Sequence, residues 1–333
     1  MVKIAVLGAG VNGLACAVKI KEKYKGFQVK LISCEFTPNT TGDGSGGLWC
    51  PYQCGNTPPE LLEKWGGETF EYLRDLCKSG DVNICCLPYY KFYTKPENMA
   101  RPSWTKVVDD YRELDGKQLK CFNNRFSSKF VGGMTFTTFV IPPSALLAYF
   151  EKRFKEAGGE IIQAKMTSLH DPMLRDFDVL VNCTGLGARY LVPDKNVGPI
   201  RGQIIKVKAP WLKEVIMNDV GLYIIPNVDI CILGGTNTDS FNTTIDTKDS
   251  DHIMNECKKM LPSLKNAEVV AHWVGLRPGR TSVRLEPEVT DGKLIIHNYG
   301  HGGSGFTLFW GCSSDVLQIL DTYLNKQQLL SKL

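Results

Sequence analysis

Apolar positions along the chain change their period several times, and each change marks a different kind of element. Lys3 to Leu7 is an almost unbroken apolar run, which predicts a strand covered on both faces. The period turns helical from Val11 to Lys23, and Phe27 to Ser33 predicts a second parallel strand. Thr37 to Trp49 is crowded with glycine, proline and hydroxyl residues, so it predicts an irregular loop with many free backbone N–H groups, although Leu48 and Trp49 at its end call for burial. Leu61, Leu62, Trp65, Phe70, Leu73 and Leu76 then recur at helical spacing between Pro58 and Lys78. From Asn83 to Phe139 the pattern shortens to aromatic runs between polar turns, as expected for antiparallel strands of a separate domain. Pro142-Pro143-Ser144 opens a helix spanning Ala145 to Ala157, and Gly158-Gly159 closes it. Glu160 to Met166 and Asp178 to Gly185 return to the first kind of strand. Alternating strands follow at 203–207, 222–226 and 230–234, with a charged helix over about Ser250 to Leu261. Leu294 to His297 is a last strand that enters a glycine-rich turn and a helix ending near Asn325.

This order predicts a two-domain α/β protein. A doubly wound, Rossmann-like domain is expected from residues 1–53, 142–200 and 285–333, and a second, mostly antiparallel β domain from 54–141 and 201–284. The chain thus crosses between domains more than once. Composition adds exclusions. With 43% hydrophobic and 22% charged residues, and 39 basic against 35 acidic side chains, the 333-residue chain reads as an ordinary globular protein, with no charge bias toward nucleic acid or membrane. No apolar run approaches the roughly 18 residues of a membrane span, and Met1-Val2-Lys3 leads straight into the first strand, so no secretory leader is expected. The twelve cysteines include no C-x-x-C: Cys50 and Cys54 are C-x3-C, Cys85 and Cys86 are adjacent, and neither pair has a histidine at zinc-like spacing. They read as free thiols, and no metal site is expected.

The candidate chemistry begins at Gly8-Ala9-Gly10-Val11-Asn12-Gly13, a G-x-G-x-x-G that follows a strand and opens a helix. Gly8 permits the tight turn, Gly10 leaves room for a phosphate beside the backbone, and Gly13 lets helix and strand pack closely. The helix N-terminus then attracts the anion. At the end of the second strand Glu35 is the acid placed to accept ribose hydroxyls. A second glycine loop and a glycine-rich start to the last helix favour a flavin over a nicotinamide. The chain ends in Ser331-Lys332-Leu333, which in a eukaryotic source is a peroxisomal address.

Six motifs then occur in order: Gly8-Ala9-Gly10-Val11-x-Gly13-Leu14, Phe36-Thr37-Pro38-Asn39-Thr40-Thr41-x-Asp43, Val181-Asn182-Cys183-Thr184-Gly185, Arg201-Gly202-Gln203, Gly275-Leu276-Arg277-Pro278-x-Arg280 and His297-Asn298-Tyr299-Gly300-His301-Gly302-Gly303. Together they resemble the family of FAD-dependent D-amino-acid oxidases and D-aspartate oxidases over nearly the whole chain. The resemblance implies FAD as cofactor and a D-amino acid and oxygen as reactants. It places Gly8, Gly10, Val11, Asn12 and Gly13 at the pyrophosphate and Thr40, Thr41, Gly47 and Leu48 along the ribityl chain and ring, and it adds Met166 to the cofactor contacts. Gly302, Gly303, Ser304, Gly305 and Phe306 are implied to open the helix that faces the flavin pyrimidine, with Thr307 adding a hydrogen bond. Arg277 is implied to pair bidentately with the substrate α-carboxylate, Tyr223 to reach the same group, and Gly303 to offer its carbonyl to the amine. No side chain serves as acid or base: the α-hydrogen leaves as hydride, the imino acid hydrolyses to a 2-oxo acid and ammonia, and oxygen becomes hydrogen peroxide. His301 is then structural. Family members are typically peroxisomal, so the terminal tripeptide implies the peroxisomal matrix and an import receptor as partner. A monomer or a homodimer is expected.

The chain departs from the family at several positions. Cys34 stands where the family has Asp, Glu35 where it has a basic residue, and Asp43-Gly44-Ser45-Gly46-Gly47 replaces D-V-A-A-G. Vertebrate-type D-aspartate oxidases carry an arginine at the Met217 position and a histidine at the Tyr52 position. Met217 and Tyr52 therefore point to neutral side chains, unless another basic residue folds in, because an unpaired substrate carboxylate is costly to bury. The alternative is a D-aspartate oxidase. More distant rivals are an oxidase of the sarcosine or glycine type and a non-catalytic dinucleotide-binding protein.

Overall fold

The computed structural model of the chain describes residues 1–330; Ser331, Lys332 and Leu333 of the expected address lie outside the described residues. Numbered along the chain, the strands are β1 (Lys3–Leu7), β2 (Gln28–Ser33), β3 (Cys85–Tyr93), β4 (Asp109–Glu113), β5 (Gly132–Val140), β6 (Glu160–Gln163) and β7 (Val179–Asn182). They continue as β8 (Gly198–Lys208), β9 (Val215–Asn218), β10 (Tyr223–Pro226), β11 (Cys231–Gly234), β12 (Glu268–Gly279), β13 (Arg284–Thr290) and β14 (Lys293–Tyr299). The helices are α1 (Val11–Lys23), α2 (Pro59–Ser79), α3 (Gly116–Phe126), α4 (Pro143–Glu156), α5 (Ala188–Leu191), α6 (Thr247–Met260) and α7 (Gly305–Leu330).

Two sheets result. The first has the order β13-β14-β7-β1-β2-β6 and is parallel except for the β13–β14 hairpin. Alternation along β1 explains how both faces are filled. Ile4 and Val6 pack with Leu14 and Val18 of α1, Leu147 of α4 and Phe309 of α7, whereas Ala5 and Leu7 pack with Leu174, Phe177 and Leu191. The chain leaves β1 toward β2 on one side and meets β7 on the other, so the strand order reverses at β1, where ligand crevices form in such sheets.

The second sheet has the order β12-β8-β11-β10-β9-β3-β5-β4 and is antiparallel except for the β3–β9 pair. On one face Ile204, Val215, Met217, Tyr223 and Ile225 join the core that also holds β1 and α1. On the other, Phe92, Ile205, Ile216, Ile224 and Leu233 are covered by Phe126 of α3 and by Ile253, Cys257 and Met260 of α6. The stretch 83–139, expected to hold strands alone, thus contains a helix. Its signal is a capping box: the Asp115 side chain accepts from the Gln118 N–H at 2.8 Å, and Gln118 Oε1 accepts from the Asp115 N–H at 3.1 Å. Helix α7 also runs past the expected Asn325 to Leu330.

Candidate active site

A cavity of about 480 Å³ lies between the carboxyl ends of β1, β2 and β7 and the inner face of the second sheet. Its walls are built first by glycine. Gly8 has φ +99°, and a Cβ there would stand 2.6 Å from the Cys183 carbonyl oxygen; a Cβ at Gly13 would fall 1.8 Å from the Gly8 oxygen. The turn is therefore pressed against both β7 and α1, and Gly10, with open space around its Cβ direction, faces the cavity. Helix α1 has no side-chain cap and no acid in its first turn, which leaves its positive end for an external anion.

The loop after β2 is organised by Asp43. Its carboxylate accepts from Thr37 Oγ1 at 2.6 Å, from the Thr40 N–H at 2.9 Å and from Thr40 Oγ1 at 2.7 Å. Burial pushes this carboxyl upward, but hydrogen bonds from Thr37, Ser144 and Thr40 outweigh it and hold the group below its usual range. The loop thereby brings Thr40, Thr41, Gly47 and Leu48 to the cavity wall, with Glu35 at the end of β2. At Gly47 (φ +67°) any Cβ would strike the Ile141 oxygen at 1.9 Å, so the close approach needs glycine.

Arg277 on β12 enters from the second sheet. Its guanidinium donates to Tyr223 Oη at 3.3 Å and to the Thr236 carbonyl at 3.4 Å, and lies 5.8 Å above the Tyr52 ring. No carboxylate pairs with it among the described residues. The contrast with the neighbouring arginines is sharp: Arg201 is tied to Asp249, Gln203 and two carbonyls, and Arg280 to Asp194. Space for Arg277 comes from Gly202 on the adjacent strand, where a Cβ would meet the guanidinium at 2.3 Å. Gly234 and Gly235 make the same room for the Tyr223 ring. Burial pushes the Tyr223 and Tyr52 hydroxyls upward against the pull of Arg277, so both stay protonated donors.

Met217 pairs directly with Tyr223 across β9 and β10, and Tyr89 donates its hydroxyl hydrogen to the Met217 sulfur at 3.3 Å. The turn between these strands is pinned by Asp219, which accepts from the Thr94 N–H, Thr94 Oγ1 and Asn98 Nδ2 at 2.8–2.9 Å. His301 lies beside the start of α7, fully buried, with burial lowering it to about 4, and its Nε2 has no partner. Glu35, Arg277 and the neutral His301 are the only ionisable Asp, Glu, Lys, Arg or His side chains in the wall among the described residues.

Of the residues singled out from sequence, Gly8, Gly10, Val11, Asn12, Glu35, Thr40, Thr41, Gly47, Leu48, Tyr52, Met217, Tyr223, Arg277, Gly302, Gly303, Gly305 and Phe306 line this one cavity. Gly13, Met166, Ser304 and Thr307 do not. Gly13 sits beneath the turn, and Met166 packs beside Leu174 and Phe177. The Ser304 hydroxyl bonds the backbone of Tyr52, and the Thr307 hydroxyl that of Cys50, so both join the α7 start to the 50–52 segment. Sequence reasoning missed Cys50, Thr184, Ile204, Ile225 and Trp273 in the wall. Only Trp273 carried a legible signal: its spacing of four from Arg277 on a strand places both on one face.

A family model described as FAD dependent oxidoreductase matches residues 3–318. The chain belongs to that family. Among its relatives, the D-amino acid oxidase of Dugesia ryukyuensis is 38% identical over 98% of this chain and 99% of its own length. The D-aspartate oxidase of Homo sapiens is 35% identical over 96% and 94%. The glycine oxidase structure from Bacillus cereus superposes with a TM-score of 0.80, covering 97% of this chain and 96% of the other at 20% identity, a likeness of fold. The cavity of this FAD dependent oxidoreductase fits its cofactor on its own geometry. A glycine cradle at an uncapped helix suits the pyrophosphate, and the orphaned Asn12 Oδ1 and His301 Nε2 are buried atoms awaiting a polar partner.

Proposed function

We propose that this chain is a D-amino-acid oxidase that binds FAD along the glycine turn and its substrate between Arg277 and Met217. The observation that carries the reading is Arg277: a half-buried guanidinium beside a protonated tyrosine, with no carboxylate of its own. Such a fork binds a planar carboxylate in two parallel hydrogen bonds. When bound, FAD accepts the substrate's α-hydrogen as hydride and passes the electrons to oxygen, giving hydrogen peroxide. The protein's part is positional. Arg277 and Tyr223 fix the carboxylate, the carbonyl of Gly303 faces the amine, and the side chain points to the apolar wall of Met217, Ile204 and Ile225. With the carboxylate clamped, only one enantiomer turns its α-hydrogen toward the cofactor side. With His301 held neutral and Glu35 at the end of β2, no Asp, Glu, Lys or charged His among the described residues stands in the wall beside Arg277 as a general base, which supports loss of the hydrogen as hydride from a neutral amine.

Residues 1–53, 142–200 and 285–333 would serve as the cofactor domain and the remainder as the substrate domain. Ser331-Lys332-Leu333 would direct the protein to the peroxisome through its import receptor. The test is spectroscopic. Purified protein should be yellow and should bleach under anaerobic D-alanine but not L-alanine, with peroxide appearing on admission of air. Colourless protein, or a flavin indifferent to every D-amino acid, defeats the reading.

A further inference from the structure

The inner face of the second sheet carries a row of residues paired in register across five strands: Trp273 pairs Ile204, Ile204 pairs Gly234, Gly234 pairs Tyr223, and Tyr223 pairs Met217. All but Gly234 line the cavity, and Gly234 is the space that the Tyr223 ring fills. The row does not end at Met217. Its next member is Lys91 on β3, which pairs Met217 in the parallel β3–β9 ladder. Alternation puts Lys91 on the same face as Tyr89 and Tyr93, both buried in the core that holds Met217 and Tyr223.

A lysine is an odd occupant of this place. Its neighbours in register are Met217 on one side and Met134 on the other. Its ammonium takes part in no salt bridge or hydrogen bond among the described residues, and it lies 5.3 Å from the Tyr93 ring. Cys50 is a cavity-wall residue whose thiol burial drives up to about 11; the Tyr89 hydroxyl and the Lys91 charge oppose that rise, so the field of Lys91 reaches the wall. A half-buried charge without a counter-ion costs stability unless an anion completes it.

We propose that Lys91 is a specificity-determining residue that receives the side-chain carboxylate of acidic D-amino acids, extending the range of the pocket beyond neutral side chains. This rests on the oxidase reading above. Two strand spacings, about 10 Å, separate the Tyr223 and Lys91 backbones. Lys91 stands behind Met217, outside the cavity wall. A dicarboxylic substrate clamped at Arg277 and Tyr223 spans part of that interval, and the flexible lysine stem, turned from the Tyr93 ring toward the cavity, closes the remainder. Met217, bonded to Tyr89, is then the floor across which the substrate chain passes rather than the end of the pocket.

The experiment compares kcat/KM for D-glutamate, D-aspartate and D-alanine in the wild-type holoenzyme, Lys91→Met and Lys91→Arg. Lys91→Met should lower the better acidic substrate at least tenfold while D-alanine stays within twofold, and Lys91→Arg should keep most of the acidic activity. A binding readout runs beside it: glutarate or malonate should raise the wild-type Tm, and Lys91→Met should abolish that rise. An equal loss on acidic and neutral substrates, or a wild type that oxidises D-alanine but neither acid, overturns the assignment of Lys91. If no D-amino acid is oxidised the oxidase reading fails instead, and the dicarboxylate shift still decides whether Lys91 binds a carboxylate.

Discussion

Gly202 and His301 show what single residues contribute. A methyl group at Gly202 would stand 2.3 Å from the Arg277 guanidinium, the far end of a flexible chain, so the fold can yield but the guanidinium cannot stay. Gly202→Ala should therefore leave Tm nearly unchanged and lower kcat/KM for D-alanine at least ~10-fold, a loss of about 1.4 kcal/mol. An unchanged kcat/KM would mean that Arg277 does not need this position. His301 makes the complementary case for pH. Its folded value is about 4 because it is buried, against roughly 6.5 in the unfolded chain. Between those values the unfolded state holds the extra proton, so stability falls as pH falls below about 6.5 and the loss levels off near 4. Its full size is on the order of 3 kcal/mol. In urea unfolding from pH 7.5 to 4.5, the stability difference between wild type and His301→Gln should change by that amount; a pH-independent difference would show that burial does not hold His301 neutral. Arg277 and Tyr223 were legible only through a motif, since nothing in their local pattern separates a ligand-binding arginine from a structural one. Gly202 was legible as a glycine but not as the space for another side chain, because that role arises from pairing with a strand some seventy residues away.

At the level of elements, the hydrophobic period located α1 to the residue and β1, β2, β6, β7, β10, β11 and β14 to within three residues, because these bury one face or both. It started β8 five residues late and gave no strand at β9, β12 or β13. It failed at α3, although Leu119, Phe122 and Phe126 recur there at helical spacing and face one core: the helix is short and the aromatic runs on either side of it dominate the pattern. It also missed the parallel β3–β9 pair: register between distant strands is a tertiary outcome. The loop between β2 and α2 shows how irregular backbone is nonetheless fixed. Asp43 gathers Thr37 and Thr40, and its lowered carboxyl value means that this support is complete above about pH 4 and is lost as pH falls through the folded value. Asp43→Ala should release Thr40 and Thr41 from the wall and weaken FAD binding roughly tenfold at pH 7, the worth of about one charge-assisted hydrogen bond. Fluorescence titration of apoprotein with FAD measures it; wild-type affinity in the variant would show that the loop contributes nothing to the cofactor.

Across the whole molecule the two sheets share one core. Ile4 and Val6 of the first sheet belong to the same buried cluster as Met217, Tyr223 and Ile225 of the second, with Trp49 and Phe139 between them. The segment that crosses from one to the other is tied at Cys50 and Tyr52 to the start of α7. Two domains joined so extensively should not unfold apart. The cavity lies at their junction and draws its wall from both, so a ligand filling it binds only when both are folded. FAD at a hundredfold excess over its dissociation constant then adds about 2.7 kcal/mol to the folded state. For a chain of this size that raises Tm by about 4 °C. Calorimetry of apoprotein should accordingly show one transition, and FAD should move the whole of it upward together. Two apo transitions, of which FAD shifts only one, would mean that the sheets are independent units and that the cofactor is held by the glycine turn alone.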